Sequence, residues 1–197
     1  MTEDSLDPNP IVVLGQWLDD ANEAGIAEPN AMSLATSTPD GRPSVRYVLL
    51  RGLDERGLRF YTSYFSTKGK QLERNPFAAV AFFWPRLERQ VRAEGAVHVL
   101  SEDESDAYFA SRPRGHRLAA WASEQSEPIA SRGLLEDRYA HFDERFGGDE
   151  VPRPHSWGGY AIAPERFEFW QGQANRMHDR FEYLRQGGTW TMRRLQP

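Results

Sequence analysis

Between Ala31 and Tyr64 the chain carries three β-type segments, AMSLATS, SVRYVLLRG and LRFYTSY, separated by the turn formers TPDGRP and DERG. Connections this short join antiparallel neighbours, because a parallel pair needs a crossover of a dozen or more residues. The spacing therefore predicts a meander. FAAVAFFW (Phe77 to Trp84) is apolar enough for a buried strand, and ERQVRAEGAVHVL reads as two β stretches around Glu94 and Gly95. HSWGGYAIAP, RFEFWQ, RFEYLR and TWTMRRL close the chain as strands, the last two joined by QGG. Helices flank this framework. Ile11, Leu14, Leu18 and Ala21 fall at helical spacing from Pro10 to Ala24, and STKGKQLERN forms a short helix ended by Asn75 and Pro76. Ser101 and Glu104 stand at capping-box spacing and open a helix that Pro113 ends. PIASRGLLEDRYAHFDERFG offers a further apolar face from Ile129, Leu134, Leu135, Tyr139 and Phe142. No repeat or linker divides residues 1–197, so the expectation is a single domain with a flexible terminus over residues 1–9. Its class is mainly β with flanking helices, most simply a barrel.

Composition narrows the chemistry. The net charge of −5, from 24 basic and 29 acidic residues, gives no reason to expect nucleic acid or an anionic membrane as partner. Cysteine is absent, which removes disulfides and thiolate chemistry and agrees with a cytoplasmic location. The start MTEDSLDPNP is acidic and has no apolar signal core, and no run approaches the roughly 18 apolar residues of a membrane span. His98, His116, His141, His155 and His178 lack metal-ligand spacing, so no metal site is expected. Neither a Gly-rich phosphate loop nor a Gly-x-Ser-x-Gly elbow occurs.

What remains is a set of positive groups at strand ends and turns: Arg46 and Arg51 around YVLL, Lys68 in STKGK, and Arg112 and Arg114 in SRPRG. Thr62, Ser66, Gln90, Tyr108, Gln125 and Ser126 lie close to them in sequence or in pattern. Such groups anchor phosphates and a heteroaromatic ring. In FWQGQANRMHDRFEY, Arg176, His178 and Arg180 alternate, so an extended chain would point all three to one face. Two readings fit that row: a clamp for an anion or flat polar ring, and a solvated edge strand whose charges discourage pairing.

The ordered series RYVLLRG, FYTSYFSTKGKQLERNP, LERQVRAEG, YFASRPRG, AWASEQS, WGGY, FEFWQGQANRMHDR and a terminal RLQP resembles the pyridoxamine 5′-phosphate oxidase family. The resemblance runs from Trp17 to Pro197. It implies a split β-barrel homodimer that binds FMN between its subunits and oxidises a phosphorylated pyridine, with dioxygen as acceptor and hydrogen peroxide as product. Carried over, Arg46, Tyr47, Val48, Leu49, Leu50 and Arg51 would line the flavin together with Tyr61 and Thr62. Lys68, beside Thr67, would hold the flavin phosphate, and Gln90, Gln125, Ser126, Trp170 and Arg180 would complete that site. Arg51, Tyr108, Arg112 and His116 would grip the substrate phosphate, while Arg176 and His178 would cover the ring and serve the catalytic step.

The chain departs from the family pattern at Arg51, where the family has Lys, at His116, where it has Ser, and at Thr67, where it has Arg. The Arg-x-x-Tyr arm that folds over the substrate in many members is missing from the N-terminal stretch. By the resemblance, Thr67 removes an expected flavin-phosphate contact, and taken together the departures leave flavin binding a firmer inference than substrate identity. Two rival readings follow: a related flavin oxidase of the phenazine-biosynthesis type acting on another ring system, and a protein that holds flavin or pyridoxal phosphate without turnover.

Overall fold

The computed structural model of the protein describes residues 1–197. Helix α1 (Pro10–Glu23) starts where Asn9 caps it, its side chain accepting from Ile11 N, and Pro10 occupies the first turn where no backbone donor is needed. Strand β1 (Ala31–Ser37) buries Met32, Leu34 and Thr36 and leaves the intervening side chains half exposed, the alternation of a strand with one face inward. It pairs antiparallel with β2 (Pro43–Leu49) through the hairpin the sequence predicts.

The expected second strand is divided. After Leu49 the chain leaves the ladder: the Leu50 N–H donates to the Asn30 carbonyl, and the Asn30 side-chain amide donates to the Leu50 carbonyl. Leu50 turns inward, and β3 (Gly52–Asp54) starts a separate hairpin with β4 (Gly57–Ser63). The meander thus breaks between β2 and β3, and the two pieces end at opposite edges of one curled sheet. With β5 (Phe77–Trp84), β6 (Arg89–Val99) and β7 (Trp157–Gln171), its order is β2-β1-β5-β6-β7-β4-β3. Strand β8 (Asp179–Gln186) pairs with β7 and with β9 (Thr189–Leu195), and every pairing in the sheet is antiparallel.

Strand β7 organises this sheet. Its first half, Trp157 to Ile162, bonds β4, and its second half, Arg166 to Gln171, bonds β8, while β6 runs beside both. The sequence reads this stretch as two strands; it is one, split only in its partners. The same correction holds for β6, where Glu94 and Gly95 mark a bulge and not a break. A Cβ on Gly95 would stand 2.1 Å from the Ala163 carbonyl oxygen, so the backbones approach too closely for any other residue.

Inside the curl, α1 inserts Val13, Leu14, Trp17 and Ala21 against Phe169, Trp84 and Phe82. Trp17 meets Phe169 edge-on at 5.2 Å, and the Trp84 indole donates to the Pro29 carbonyl, so its buried N–H is satisfied. Helix α2 (Thr67–Arg74) is capped by Ser66 and α3 (Glu102–Ser111) by the Ser101–Glu104 box. Sequence reading misses α4 (Arg114–Ala122), which begins directly after Pro113 and has no side-chain cap. Helix α5 (Arg132–Phe146) starts at its Ser131 cap, so Ile129 lies outside it; Leu134 is exposed, and Tyr139 and Phe142 pack against a second core of Phe109, Leu118, Val151 and Trp157. Residues 1–9, expected to be loose, lie against the sheet: Met1 and Leu6 touch the core and the Tyr183 hydroxyl donates to the Asp7 carbonyl. No helix is long and apolar enough to cross a membrane.

Phe169, fully buried among Trp17, Phe167 and Tyr183, carries much of this packing. Phe169→Ala is expected to lower stability by about 3–5 kcal/mol in urea denaturation, and Asp19→Ala on the exposed side of α1 to change it by under about 0.5 kcal/mol.

Candidate functional site

Where β2 ends, the β4–α2 turn and the α3–α4 junction face one another across a cleft of about 810 Å³. Arg46, Tyr47, Val48, Leu49 and Arg51 form one wall, Tyr61, Thr62, Thr67 and Lys68 the floor, and Tyr108, Arg112, His116, Gln125 and Ser126 the far side. The structure thus brings together most of the residues singled out from the sequence. Leu50 is an exception, because its side chain belongs to the core.

The electrostatics are one-sided. Arg46, Arg51, Lys68 and Arg112 line the cleft, and no carboxylate does. Lys68 is buried, and its ammonium donates only to neutral oxygens: Thr62 Oγ1 at 3.1 Å, Gln125 Oε1 at 3.2 Å and Ser66 Oγ at 3.3 Å. Burial, and secondarily the nearby Arg46 charge, lower its pKa to about 8. Burial also lowers the pKa of Arg46 and Arg112 from their ordinary values, and Arg51 pushes Arg112 the same way. One guanidinium nitrogen of Arg112, Nη1, is buried without a hydrogen-bond partner. A buried donor left unmade costs roughly 1–3 kcal/mol or more, so the cleft is arranged for an incoming anion.

Three features of this wall escape sequence reading. Trp157 lies under the Arg112 guanidinium, 4.5 Å from its ring centre, and stacks with Tyr61, which itself stacks on Tyr108 at 3.8 Å. The following Gly158 and Gly159 make room for the aromatic neighbours: a Cβ on Gly158 would lie 1.9 Å from the Tyr64 hydroxyl, and one on Gly159 2.7 Å from the Tyr61 ring. The Trp-Gly-Gly-Tyr string was the available signal. Second, Thr36 and Gln71 hold Arg46 from behind: its Nη1 donates to Thr36 Oγ1 at 2.6 Å, and that hydroxyl donates to Gln71 Oε1. Third, Ser126 adopts a left-handed backbone, φ 75°, directly after Gln125, whose amide oxygen accepts from Lys68.

The remaining candidates lie elsewhere. Gln90 on β6 pairs across to Trp170 on β7, which pairs with Arg180 on β8. Arg180 is held by the buried Glu168 at 2.8 Å and donates to the Gln196 carbonyl. From Gly158, beside Thr62, to Trp170 is twelve residues of one strand, about 40 Å of its length. Within one chain these groups do not share the cleft. The extended row of Arg176, His178 and Arg180 also needs correction: only Arg180 lies in a strand, as the second residue of β8. Asn175 and Arg176 are left-handed, with φ 57° and 62°, and form a tight turn ahead of β8. Arg176 is exposed, and the His178 ring sits 4.7 Å from Trp170.

Fold and cleft together define a split-barrel protein with a cation-lined cleft free of carboxylates. Residues 18–146 match the sequence model described as pyridoxamine 5′-phosphate oxidase, and residues 157–197 match that of a pyridoxine 5′-phosphate oxidase C-terminal dimerisation region. A pyridoxine/pyridoxamine 5′-phosphate oxidase of Rubrobacter xylanophilus is 58% identical over all of this chain and 91% of its own length. One from Ralstonia nicotianae is 56% identical over 98% of this chain and 91% of its own. The chain belongs to the pyridoxamine 5′-phosphate oxidase family. Among solved structures, PhzG from Burkholderia lata, crystallised with tetrahydrophenazine-1-carboxylic acid, superposes with a TM-score of 0.94 at 34% identity, over 98% of this chain and 95% of that one. An FMN-binding protein from Nostoc punctiforme shares the fold, with a TM-score of 0.76 at 20% identity over 98% of this chain and 100% of that one.

The Lys68 charge gives a direct test. Sulfate keeps one charge state between pH 7 and 10, so any change in its binding there comes from the protein. Because the Lys68 proton is lost as pH rises through about 8, sulfate affinity by calorimetry is expected to fall across that point. In Lys68→Met it should be weaker and flat across the same step.

Proposed function

We propose that the protein is an FMN-dependent oxidase converting pyridoxamine 5′-phosphate, pyridoxine 5′-phosphate or both to pyridoxal 5′-phosphate, with dioxygen as acceptor and hydrogen peroxide as co-product. The observation that carries this reading is the cleft's unbalanced charge, four cations without a carboxylate and one orphaned guanidinium nitrogen. Two phosphate-bearing ligands would balance it. Lys68, set among Thr62, Ser66 and Gln125, would hold the flavin phosphate, and Arg46 would lie alongside. Arg112, Arg51, Tyr108 and His116 would grip the substrate phosphate. FMN held there would supply two-electron oxidation of the carbon that bears the amine or alcohol, with dioxygen as the final acceptor; on the amine route water would be consumed and ammonia released. The protein needs no nucleophile for this; it orients the reacting carbon, and Arg176 is assigned to that orientation and to the charge that develops there.

The active form in this reading is a homodimer. Gln90, Trp170 and Arg180 are too far along β7 to reach the flavin bound beside Thr62 in their own chain, and would serve the cleft of a second copy. The match of residues 157–197 to a dimerisation region supports this, as do Val45, Tyr47, Phe77 and Phe83, left exposed on the outer face of β2 and β5. A second reading, an oxidase of another ring system, draws on the likeness to PhzG. The phosphate grip separates the two, because a substrate without phosphate leaves Arg112 Nη1 unpaired.

Purified protein should be yellow and release FMN on denaturation. Mixed without dioxygen in a stopped-flow instrument, pyridoxine 5′-phosphate should reduce the flavin far faster than pyridoxine. Arg112→Ala should lower kcat/KM for the phosphate ester by about tenfold or more, ~1.4 kcal/mol, with the flavin retained. Arg176→Ala should slow flavin reduction more than it weakens binding. Equal reduction by the phosphorylated and free alcohols sinks the vitamin B6 reading and favours the other-ring oxidase.

A further inference from the structure

The turn between β7 and β8 contains a hydrogen bond that decides which nitrogen of His178 carries a proton. The backbone N–H of Gln173 donates to His178 Nδ1 at 3.1 Å. A peptide N–H can only donate, so Nδ1 holds the lone pair and, in the neutral ring, the proton sits on Nε2. The left-handed pair Asn175 and Arg176 bends the chain so that residues 173 and 178 meet, and Trp170 flanks the imidazole.

A histidine that removes a proton through Nε2 needs the opposite arrangement, with Nδ1–H donated to a carboxylate or carbonyl and Nε2 bare. The adjacent carboxylate does not supply it. Asp179 accepts from Gln173 Nε2 at 2.9 Å, from Arg194 Nη1 at 2.7 Å and from the Met1 amine at 3.1 Å. His178 is thus excluded from a carboxylate–histidine pair by the same turn that fixes its ring.

We infer that His178 acts as a hydrogen-bond donor through Nε2–H, held in that tautomer by the Gln173 backbone, and that it binds a lone pair on the substrate ring instead of taking a proton from it. The identity of the acceptor rests on the oxidase reading above; the tautomer does not. Gln173 is a positioning residue in this scheme, and its side chain reinforces the turn by holding Asp179.

Two measurements test the inference. In protein carrying ¹⁵N-labelled histidine, at a pH where the ring is neutral, the His178 signals are assigned by their loss in His178→Gln. Nδ1 is expected to be pyridine-like and Nε2 pyrrole-like; a protonated Nδ1 overturns the proposal. In the second, His178→Gln keeps an N–H near the former Nε2, whereas His178→Glu puts an acceptor there. Flavin reduction by pyridoxine 5′-phosphate should stay within about tenfold of the parent for Gln and fall by about 10² for Glu. A Glu variant faster than the Gln variant overturns the donor role. If the parent does not reduce its flavin with this substrate, the oxidase reading fails, and the nitrogen spectrum alone then decides the tautomer.

Discussion

Buried positive charge without a counter-ion governs how this molecule works. Removing an ammonium or guanidinium from water is unfavourable by several kcal/mol unless an opposite charge compensates, and here the lining of the cleft provides none. Lys68 has three neutral oxygens, Arg46 has Thr36 and backbone carbonyls, and Arg112 has the face of Trp157. Elsewhere the protein pairs its buried charges closely: Glu168 holds Arg180 and Arg92, and Glu182 holds Arg166 and Arg193. The contrast within one sheet singles out the cleft, and under the proposed function a ligand's phosphate would supply the missing anion there. Binding such an anion relieves the lowered pKa of Lys68, so ligand affinity and pH are coupled through that one group.

The second constraint is the length of β7. One strand serves two neighbours in turn, so the sheet must split, and the split leaves the cleft at the β4 end and the Trp170–Arg180 pair at the β8 end. A site that uses both ends needs two copies arranged about a twofold axis, each lending its β8 end to the other's cleft. In the proposed dimer, the turn carrying Arg176 and His178, exposed in the single chain, would be brought to the partner's cleft.

Much of this was legible in the sequence where local rules act alone. Ala31–Ser37 and Phe77–Trp84 begin and end where alternation and apolarity place them, and the Ser101–Glu104 box caps α3 as written. Local rules failed where tertiary contacts decide. Pro113 ends one helix but also starts the next, which a pattern search for terminators cannot register. Glu94 and Gly95 look like a break because a bulge and a turn use the same residues. For the site, the motif series located nearly every cleft residue, but periodicity misread the Arg176–Arg180 row, since Asn175 favours a left-handed backbone but nothing local marks Arg176 as a second such residue. Trp157 was overlooked because its role, supporting Arg112 and Tyr61, depends on three segments far apart in the chain.

The central claim, a phosphate-anchored flavin site shared between two chains, is tested most directly by complementation. Lys68→Met disables the cleft half and Arg180→Ala the β8 half, so each homodimer should be nearly inactive. Co-expressed in equal amounts, they form mixed dimers in which one of the two sites has both halves intact, and about a quarter of the parent activity and of its flavin content should return. Activity that does not exceed that of the separate variants would contradict the shared site and place the whole flavin site within a single chain.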